Sequence, residues 1–244
     1  MSTSRFLHLA LHLPALVSLL AAQGTEYPAL KYRSNYLASY YISHTPNTTP
    51  WSPSWSPDGK WIAVTMYGSI WKVDPQTGGA YELTYGEKLH GFPCWSPDGK
   101  WIVYTADDNW NSIQMEAVNT VTGEVRKLTN DSQIYIDPAF SPDGKRLAYV
   151  TTKPNGYLNV NVRSVKDGDW TGPEVAVTED HRFGKPRQYF ADWDFHTQPA
   201  WLKDSSGLLL VANRDVPLGS GNLWSVPLEH DAMRKAKLVL NEQT

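Results

Sequence analysis

The sequence lacks the residues from which disulfide-stabilised proteins and many catalytic sites are built. Cys94 is the single cysteine among 244 residues, so no internal disulfide can form. Its place beside Trp95 predicts a buried, inert thiol. No Gly-x-Ser-x-Gly, His-Glu-x-x-His or Cys-x-x-Cys motif occurs, so the usual signals of a serine hydrolase, a zinc peptidase or a thiol redox protein are missing. We therefore predict no catalytic residue, no metal ligand and no cofactor within this segment.

Basic stretches and membrane-length apolar runs are also scarce. The formal net charge is −3, and no basic stripe alternates with aromatic residues, so nucleic acid is not an expected partner. The one long apolar run, Phe6–Ala22, follows Arg5 and ends in Leu-Leu-Ala-Ala, the pattern of a cleaved secretory signal. An uncleaved anchor is the alternative, and no other run is long enough to cross a bilayer. We predict a protein exported to the bacterial periplasm or the cell exterior.

What the sequence does contain is a repeated hexapeptide. Trp-Ser-Pro-Asp-Gly-Lys stands at Trp55–Lys60 and again at Trp95–Lys100, Phe140–Lys145 differs in its first residue, and a degenerate fourth copy starts at Trp201. The first residues of these copies are 40, 45 and 61 positions apart. A period near 40 to 45 residues is typical of a β-propeller with one four-stranded blade per repeat. We therefore predict an all-β fold, a β-propeller with about four blades present.

Each hexapeptide is predicted to form the turn between the first two strands of its blade. Proline, aspartate and glycine in this order suit a tight hairpin turn, and the β-branched and aromatic segment Lys60–Met66 suits the second strand. The large aromatic residue that opens each copy is predicted to fill the gap between neighbouring blades. The predicted scaffold residues are Trp55, Asp58, Gly59, Trp95, Asp98, Gly99, Phe140, Asp143, Gly144 and Trp201.

The extended repeat Trp-Ser-Pro-Asp-Gly-Lys-Trp-Ile-Ala-Val resembles that of TolB-type propellers, which are relatives of WD-repeat propellers. The resemblance covers roughly residues 50 to 240. Two further stretches, Ile42–Trp51 and Tyr189–Trp201, resemble the propeller that precedes a metal-dependent amidohydrolase domain in secreted bacterial proteins. This second resemblance implies a catalytic domain beyond Thr244 that would hold a divalent metal. The present chain has no His-x-His motif of such a domain.

These observations divide the chain into a signal peptide (1–22), an N-terminal extension (23–49) and a partial propeller (50–244). Four blades leave an open ring with unpaired strand edges and half-covered apolar faces. We therefore expect this segment to be a fragment, with further blades and another domain encoded downstream.

One end of the predicted propeller carries the candidate contact residues. The loops between successive blades and the loops between the second and third strands of each blade meet at this end, and binding residues concentrate on such loops. Its longest connection, Glu179–Thr197, is basic in its first half and aromatic and acidic in its second. Such a loop is either a lid or docking element, or a connector whose charges pair with one another. His90, Tyr135 and Asp137 are predicted to lie in connecting loops at the same end. The candidate ligand- or domain-contact residues are His181, Arg182, Arg187, Asp192, Asp194, His196 and Arg214.

Three functions follow from this pattern. The first is the non-catalytic propeller domain of an exported, amidohydrolase-like hydrolase, docking to or gating a downstream catalytic domain. The alternative is a stand-alone TolB-like module that binds a periplasmic protein. A third is a propeller with an active site of its own that uses His196. The reading frame beyond Thr244 distinguishes the first from the second.

Overall fold

The computed structural model describes residues 49–108, 112–179, 196–214 and 221–241. Within these ranges the chain forms four sheets, each of four antiparallel strands in chain order. One short 3-10 helix, Ala232–Lys235, precedes the last strand. The four sheets do not close into a ring within the described residues, which confirms the predicted incomplete all-β propeller. The predicted signal peptide and the extension as far as residue 48 lie outside the described residues.

The sheets are numbered here as blades 1 to 4, each running from an inner to an outer strand. Blade 1 contains β1 to β4, which are Trp51–Trp55, Ile62–Met66, Ser69–Val73 and Ala80–Glu82. Blade 2 contains β5 to β8, which are Leu89–Trp95, Trp101–Asp107, Ile113–Asn119 and Val125–Lys127. Blade 3 contains β9 to β12, which are Tyr135–Phe140, Arg146–Thr151, Asn159–Lys166 and Asp169–Ala176. Blade 4 contains β13 to β16, which are His196–Trp201, Gly207–Ala212, Asn222–Pro227 and Lys237–Leu240.

The hexapeptide forms a hairpin turn that its own side chains hold together. The Ser56 hydroxyl donates to Asp58 Oδ1 at 2.7 Å and accepts the backbone N–H of Trp61 at 2.9 Å. Gly59 takes a left-handed φ of 69°, a conformation open to glycine at little cost, and Ser205 takes its place in the fourth copy with φ 61°. The Ser56 hydrogen bond is the main reason why the pKa of Asp58 lies below its usual value. The same side-chain bonds recur at Ser96 with Asp98 and at Ser141 with Asp143.

A threonine after the outer strand closes each of the first three blades. The Thr84 hydroxyl accepts the backbone N–H of Ile70 in β3 at 2.9 Å. Thr129 does the same for Met115 at 2.8 Å, and Thr178 accepts from the strand residue Val160 at 2.9 Å. The repeated Leu-Thr or Val-Thr that ends each repeat thus supplies a side-chain hydrogen bond to the third strand, beyond the end of the outer strand.

The core lies between blades, where the aromatic anchors pack. Trp95 is 7 % exposed, and its indole N–H donates to the carbonyl of Ser54 in blade 1 at 3.0 Å. Trp201 donates in the same way to the carbonyl of Ala139 in blade 3 at 2.8 Å. Phe140 packs against the apolar cluster between blades 2 and 3 but has no N–H to donate. Each of these anchors therefore reaches back to the preceding blade.

Trp55 departs from the predicted packing of the anchors. Its side chain is 58 % exposed. Trp95 packs on a cluster that contains Ala63 and Ile70 of blade 1, the preceding blade. By the same geometry Trp55 points to the side of blade 1 that faces away from blade 2. No described blade covers that side, and Trp55 fills no gap between the described blades.

Burial raises the pKa of the Cys94 thiol to about 11, so this cysteine stays protonated and unreactive at neutral pH. In the part of the chain that the structure describes, no helix is long and apolar enough to span a bilayer.

Candidate functional site

A bulge followed by proline interrupts the inner strand of every blade. Ser52, Phe92, Asp137 and Gln198 have left-handed φ values of 48°, 51°, 52° and 52°, and each precedes a proline. The pairing of the inner strand with its neighbour shifts register at each of these points. Proline suits such a place because it has no N–H to contribute to the ladder. A bulge re-aims the local side chains, here towards the propeller axis.

These bulges surround one central space, which we call the axial channel. It has a volume of about 320 Å³ and is lined by the four bulge residues and the prolines that follow them, namely Ser52, Pro53, Phe92, Pro93, Asp137, Pro138, Gln198 and Pro199. The ring of Phe92 meets that of Trp51 edge-on, with centroids 5.4 Å apart. The described wall of the channel is thus apolar and aromatic apart from a hydroxyl, an amide and one carboxyl group.

Asp137 is the one ionisable residue in the described wall of the channel. The backbone N–H of Gln198 donates to its Oδ2 at 3.4 Å, a long and therefore weak hydrogen bond. Burial raises the pKa of Asp137 to about 6, against the smaller opposing effect of this N–H. The sequence pattern predicts a connecting loop at Asp137, whereas the structure places this residue within β9.

A second cavity, of about 540 Å³, lies between blades 1 and 2. Tyr104 and Glu116 face into it from neighbouring strands, and the Tyr104 hydroxyl donates to the Glu116 carboxylate at 2.9 Å. Lys88 donates to the other oxygen of the same carboxylate at 3.0 Å. His90 is 5 % exposed, and its Nδ1 lies 2.8 Å from the Thr84 hydroxyl. Burial, followed by the charge of Glu116, raises the pKa of Tyr104.

This second group of residues is better explained as a structural network than as a binding site. The bonds among Lys88, Tyr104 and Glu116 lie within blade 2, and the contact of His90 with Thr84 joins them to the end of blade 1. Each polar group in it is already hydrogen-bonded to another, as buried polar networks require. Blade 3 has a related arrangement, in which Lys153 pairs with Asp131 at 2.9 Å and the Tyr149 hydroxyl donates to Glu174 at 2.5 Å. A tyrosine–glutamate hydrogen bond close to a paired lysine thus occurs in both blade 2 and blade 3, which indicates a scaffold function.

The comparison with protein-family models decides to which family the chain belongs. The model of the TolB beta propeller domain matches residues 39–172. The chain belongs to the TolB β-propeller family. A comparison with curated proteins gave no match.

Solved structures with the same fold include proteins of different activities. TolB from Acinetobacter baumannii is 20% identical with a TM-score of 0.59, over 81% of this chain and 45% of that one. An oligogalacturonate lyase in complex with manganese is 15% identical with a TM-score of 0.56, over 80% and 54%. A puromycin-hydrolyzing peptidase from Mycobacterium tuberculosis is 18% identical with a TM-score of 0.55, over 82% and 32%. The TolB-type chain therefore spans about half or less of these proteins, and the likeness shows the fold alone.

Two of the predicted contact residues lie in the described part of this TolB-type propeller. His196 begins β13 and is fully buried, at the position that His90 and Tyr135 hold in blades 2 and 3. Arg214 follows β14, donates to the carbonyl of Met233 at 2.7 Å and lies over the Trp224 ring at 5.1 Å. A contact of either with a ligand or domain stays a prediction. The others lie outside the described residues, namely His181, Arg182, Arg187, Asp192 and Asp194.

The axial channel has one signal in the sequence, and the described residues contain no cluster of metal-binding side chains. The channel wall could have been found from the proline that stands two residues before each anchor, at Pro53, Pro93, Pro138 and Pro199. Within residues 49–108, 112–179, 196–214 and 221–241, no three histidine, cysteine or acidic side chains come together as a metal site would require.

Proposed function

We propose that this chain is the non-catalytic propeller domain of an exported, amidohydrolase-like hydrolase, and that it docks to or gates a catalytic domain encoded downstream. The observation that carries the proposal is the axial channel, whose described wall holds a single ionisable group, Asp137. A lone carboxyl group provides neither an acid–base pair nor an activated nucleophile. A concave opening held by rigid strands is suited to receive a segment of another domain. The apolar leader Phe6–Ala22 supports export.

The end of the propeller that would meet the catalytic domain can be tested with four lysines. Lys88 precedes the inner strand of blade 2 and Lys153 follows the second strand of blade 3, so both lie at the end that carries the long connections. Lys60 and Lys100 lie in hairpin turns at the opposite end. The side chains of the first pair are 31% and 34% exposed, and those of the second pair 76% and 65%. Reactivity alone therefore favours Lys60 and Lys100.

The experiment is lysine cross-linking and mass spectrometry on the full-length protein from the longer reading frame. We expect cross-links from Lys88 and Lys153 to the catalytic domain, and none from Lys60 and Lys100. Cross-links to the catalytic domain from the second pair alone would refute docking at this end. A frame without a His-x-His motif after Thr244 would refute the hydrolase assignment.

The alternative is a stand-alone module that binds a periplasmic protein. The similarity to TolB from Acinetobacter baumannii favours it. A reading frame that ends after about two further blades supports this alternative, because propellers close with about four to eight blades. In that case the same four lysines report which end of the propeller the partner covers.

A further inference from the structure

The axial channel carries a negative charge that its own described wall does not neutralise. Besides Asp137, the lining residues are a serine, a phenylalanine, a glutamine and four prolines. The hydrogen bond that Asp137 makes among the described residues is the 3.4 Å contact with the Gln198 N–H. A carboxylate has about four lone-pair sites, so among the described residues most of the acceptor capacity of Asp137, which lines the channel, is unused.

The repeats within the chain show that the bulge does not need a carboxylate. The same left-handed position before proline is occupied by Ser52 in blade 1, Phe92 in blade 2 and Gln198 in blade 4. A neutral residue therefore forms the bulge in three of the four described blades. Placing a charge in a partly desolvated site is unfavourable unless a partner neutralises it. The carboxylate of Asp137 is thus not required to form its own bulge, and apart from the weak bond to the Gln198 N–H it is available to a ligand.

The remainder of the channel wall indicates the shape of that ligand. Four prolines and Phe92, whose ring is supported edge-on by Trp51, present apolar surface in the same wall as the carboxylate. A lysine side chain matches such a wall, because its methylene groups pack on apolar surface while the ammonium group keeps a polar partner. Aromatic rings add attraction for a cation near their faces. A volume of about 320 Å³ is at the lower end of ligand-site volumes.

We propose that the axial channel receives a primary ammonium group, that of a lysine side chain on the docked segment, and that Asp137 binds it. This inference rests on the proposed docking function, because the docked domain supplies the lysine. The ammonium donates to the Asp137 carboxylate while the methylene groups lie against the prolines and Phe92.

The probe for this site is Nα-acetyl-lysine methylamide, added to the full chain and followed through the NMR shift of the Gln198 backbone amide. We expect saturable binding of this compound and at least about tenfold weaker binding of the neutral Nα-acetyl-norleucine methylamide, as expected for loss of one charge-assisted hydrogen bond. Glycinamide, which has only an N-terminal ammonium, tests whether the methylene groups contribute. Equal binding of the lysine and glycinamide compounds would overturn the assignment to a lysine side chain.

Variants locate the site. Asp137→Asn keeps the shape of the side chain and tolerates a left-handed φ, and Asp137→Gln installs the residue that blade 4 already carries at this position. Both should weaken binding of the lysine compound at least about tenfold, whereas Glu82→Gln, at an exposed acid of β4, should leave it unchanged. Unchanged binding in both Asp137 variants would overturn the proposal.

The outcomes separate this inference from the docking proposal. If the lysine compound binds through Asp137 but cross-links to the catalytic domain form from Lys60 and Lys100 alone, docking at this end fails, whereas the ammonium-binding property of the channel stands. If the cross-links form but the Asp137 variants bind the probe normally, docking stands and this inference fails.

Discussion

Replacing Gly168 by alanine tests whether neighbouring blades pack as closely as the structure shows. Gly168 lies in the turn between β11 and β12 of blade 3 and has φ +73°. A Cβ atom there would lie 2.5 Å from Cδ2 and 2.6 Å from Cε3 of Trp101 in blade 2. The left-handed backbone costs alanine about 1–2 kcal/mol, and forcing a methyl group into a packed contact costs about 1–3 kcal/mol more. We therefore expect Gly168→Ala to lower the free energy of unfolding by about 2–5 kcal/mol.

Gly123 provides the matched control. It lies in the equivalent turn of blade 2 with φ +72°, and nothing lies within 4 Å of the position of its Cβ atom. Gly123→Ala should therefore carry only the backbone cost of about 1–2 kcal/mol. The measurement is urea unfolding of the full chain followed by far-ultraviolet circular dichroism, which does not depend on tryptophan emission.

A second pair of variants isolates the indole. In a Trp101→Ala background the atoms that would clash are gone, so Gly168→Ala should cost no more than Gly123→Ala does. Equal unfolding midpoints for the two glycine variants in the wild-type background would refute the reasoning. So would an excess cost of Gly168→Ala that persists without the indole, because blades 2 and 3 would then not meet at this point.

Two further predictions use the same unfolding assay. Trp95→Ala should lower the free energy of unfolding by about 3–5 kcal/mol, as for other buried aromatic residues. Trp55→Ala should change it by no more than about 0.5 kcal/mol, because the Trp55 side chain is largely exposed. Similar unfolding midpoints for the two variants would contradict the packing of the anchors. Because the folded pKa of Asp137, about 6, exceeds the 3.8 of the free side chain, its effect favours the folded state at low pH and is lost as pH rises through 6. Asp137→Asn should reduce the fall in stability between about pH 4 and pH 6, the interval between the unfolded and folded pKa values, and an unchanged slope would show that this carboxyl group does not titrate there.

The blade pattern was predictable because its signals are local. Ser56, Asp58 and Gly59 close the turn through hydrogen bonds that span at most five residues along the chain. The prediction began the second strand at Lys60, whereas β2 begins at Ile62. The reason is that the backbone N–H groups of Lys60 and Trp61 bind Asp58 and Ser56 rather than the strand ladder.

The axial channel was not predictable from the same signals. Asp-Pro is an ordinary turn signal, so Asp137 was assigned to a connecting loop although the structure uses it as a bulge within β9. That Ser52 and Gln198 line one space with it depends on how four sheets converge. Residues 52 and 198 are far apart in the sequence. The proline that follows each of them marks the same position in the repeat, but it does not show that these positions share one cavity.

The prolines of the inner strands also bear on aggregation. β1, β5, β9 and β13 are each the edge strand of their sheet, and an exposed edge invites a foreign strand to add to it. A proline on that edge has no backbone N–H to donate to an added strand. The adjacent bulge also bends the strand away from the straight form that fibril-like pairing needs. A peptide that enters the propeller centre therefore meets an edge protected against strand addition, and side chains rather than main-chain pairing decide which peptides are accepted.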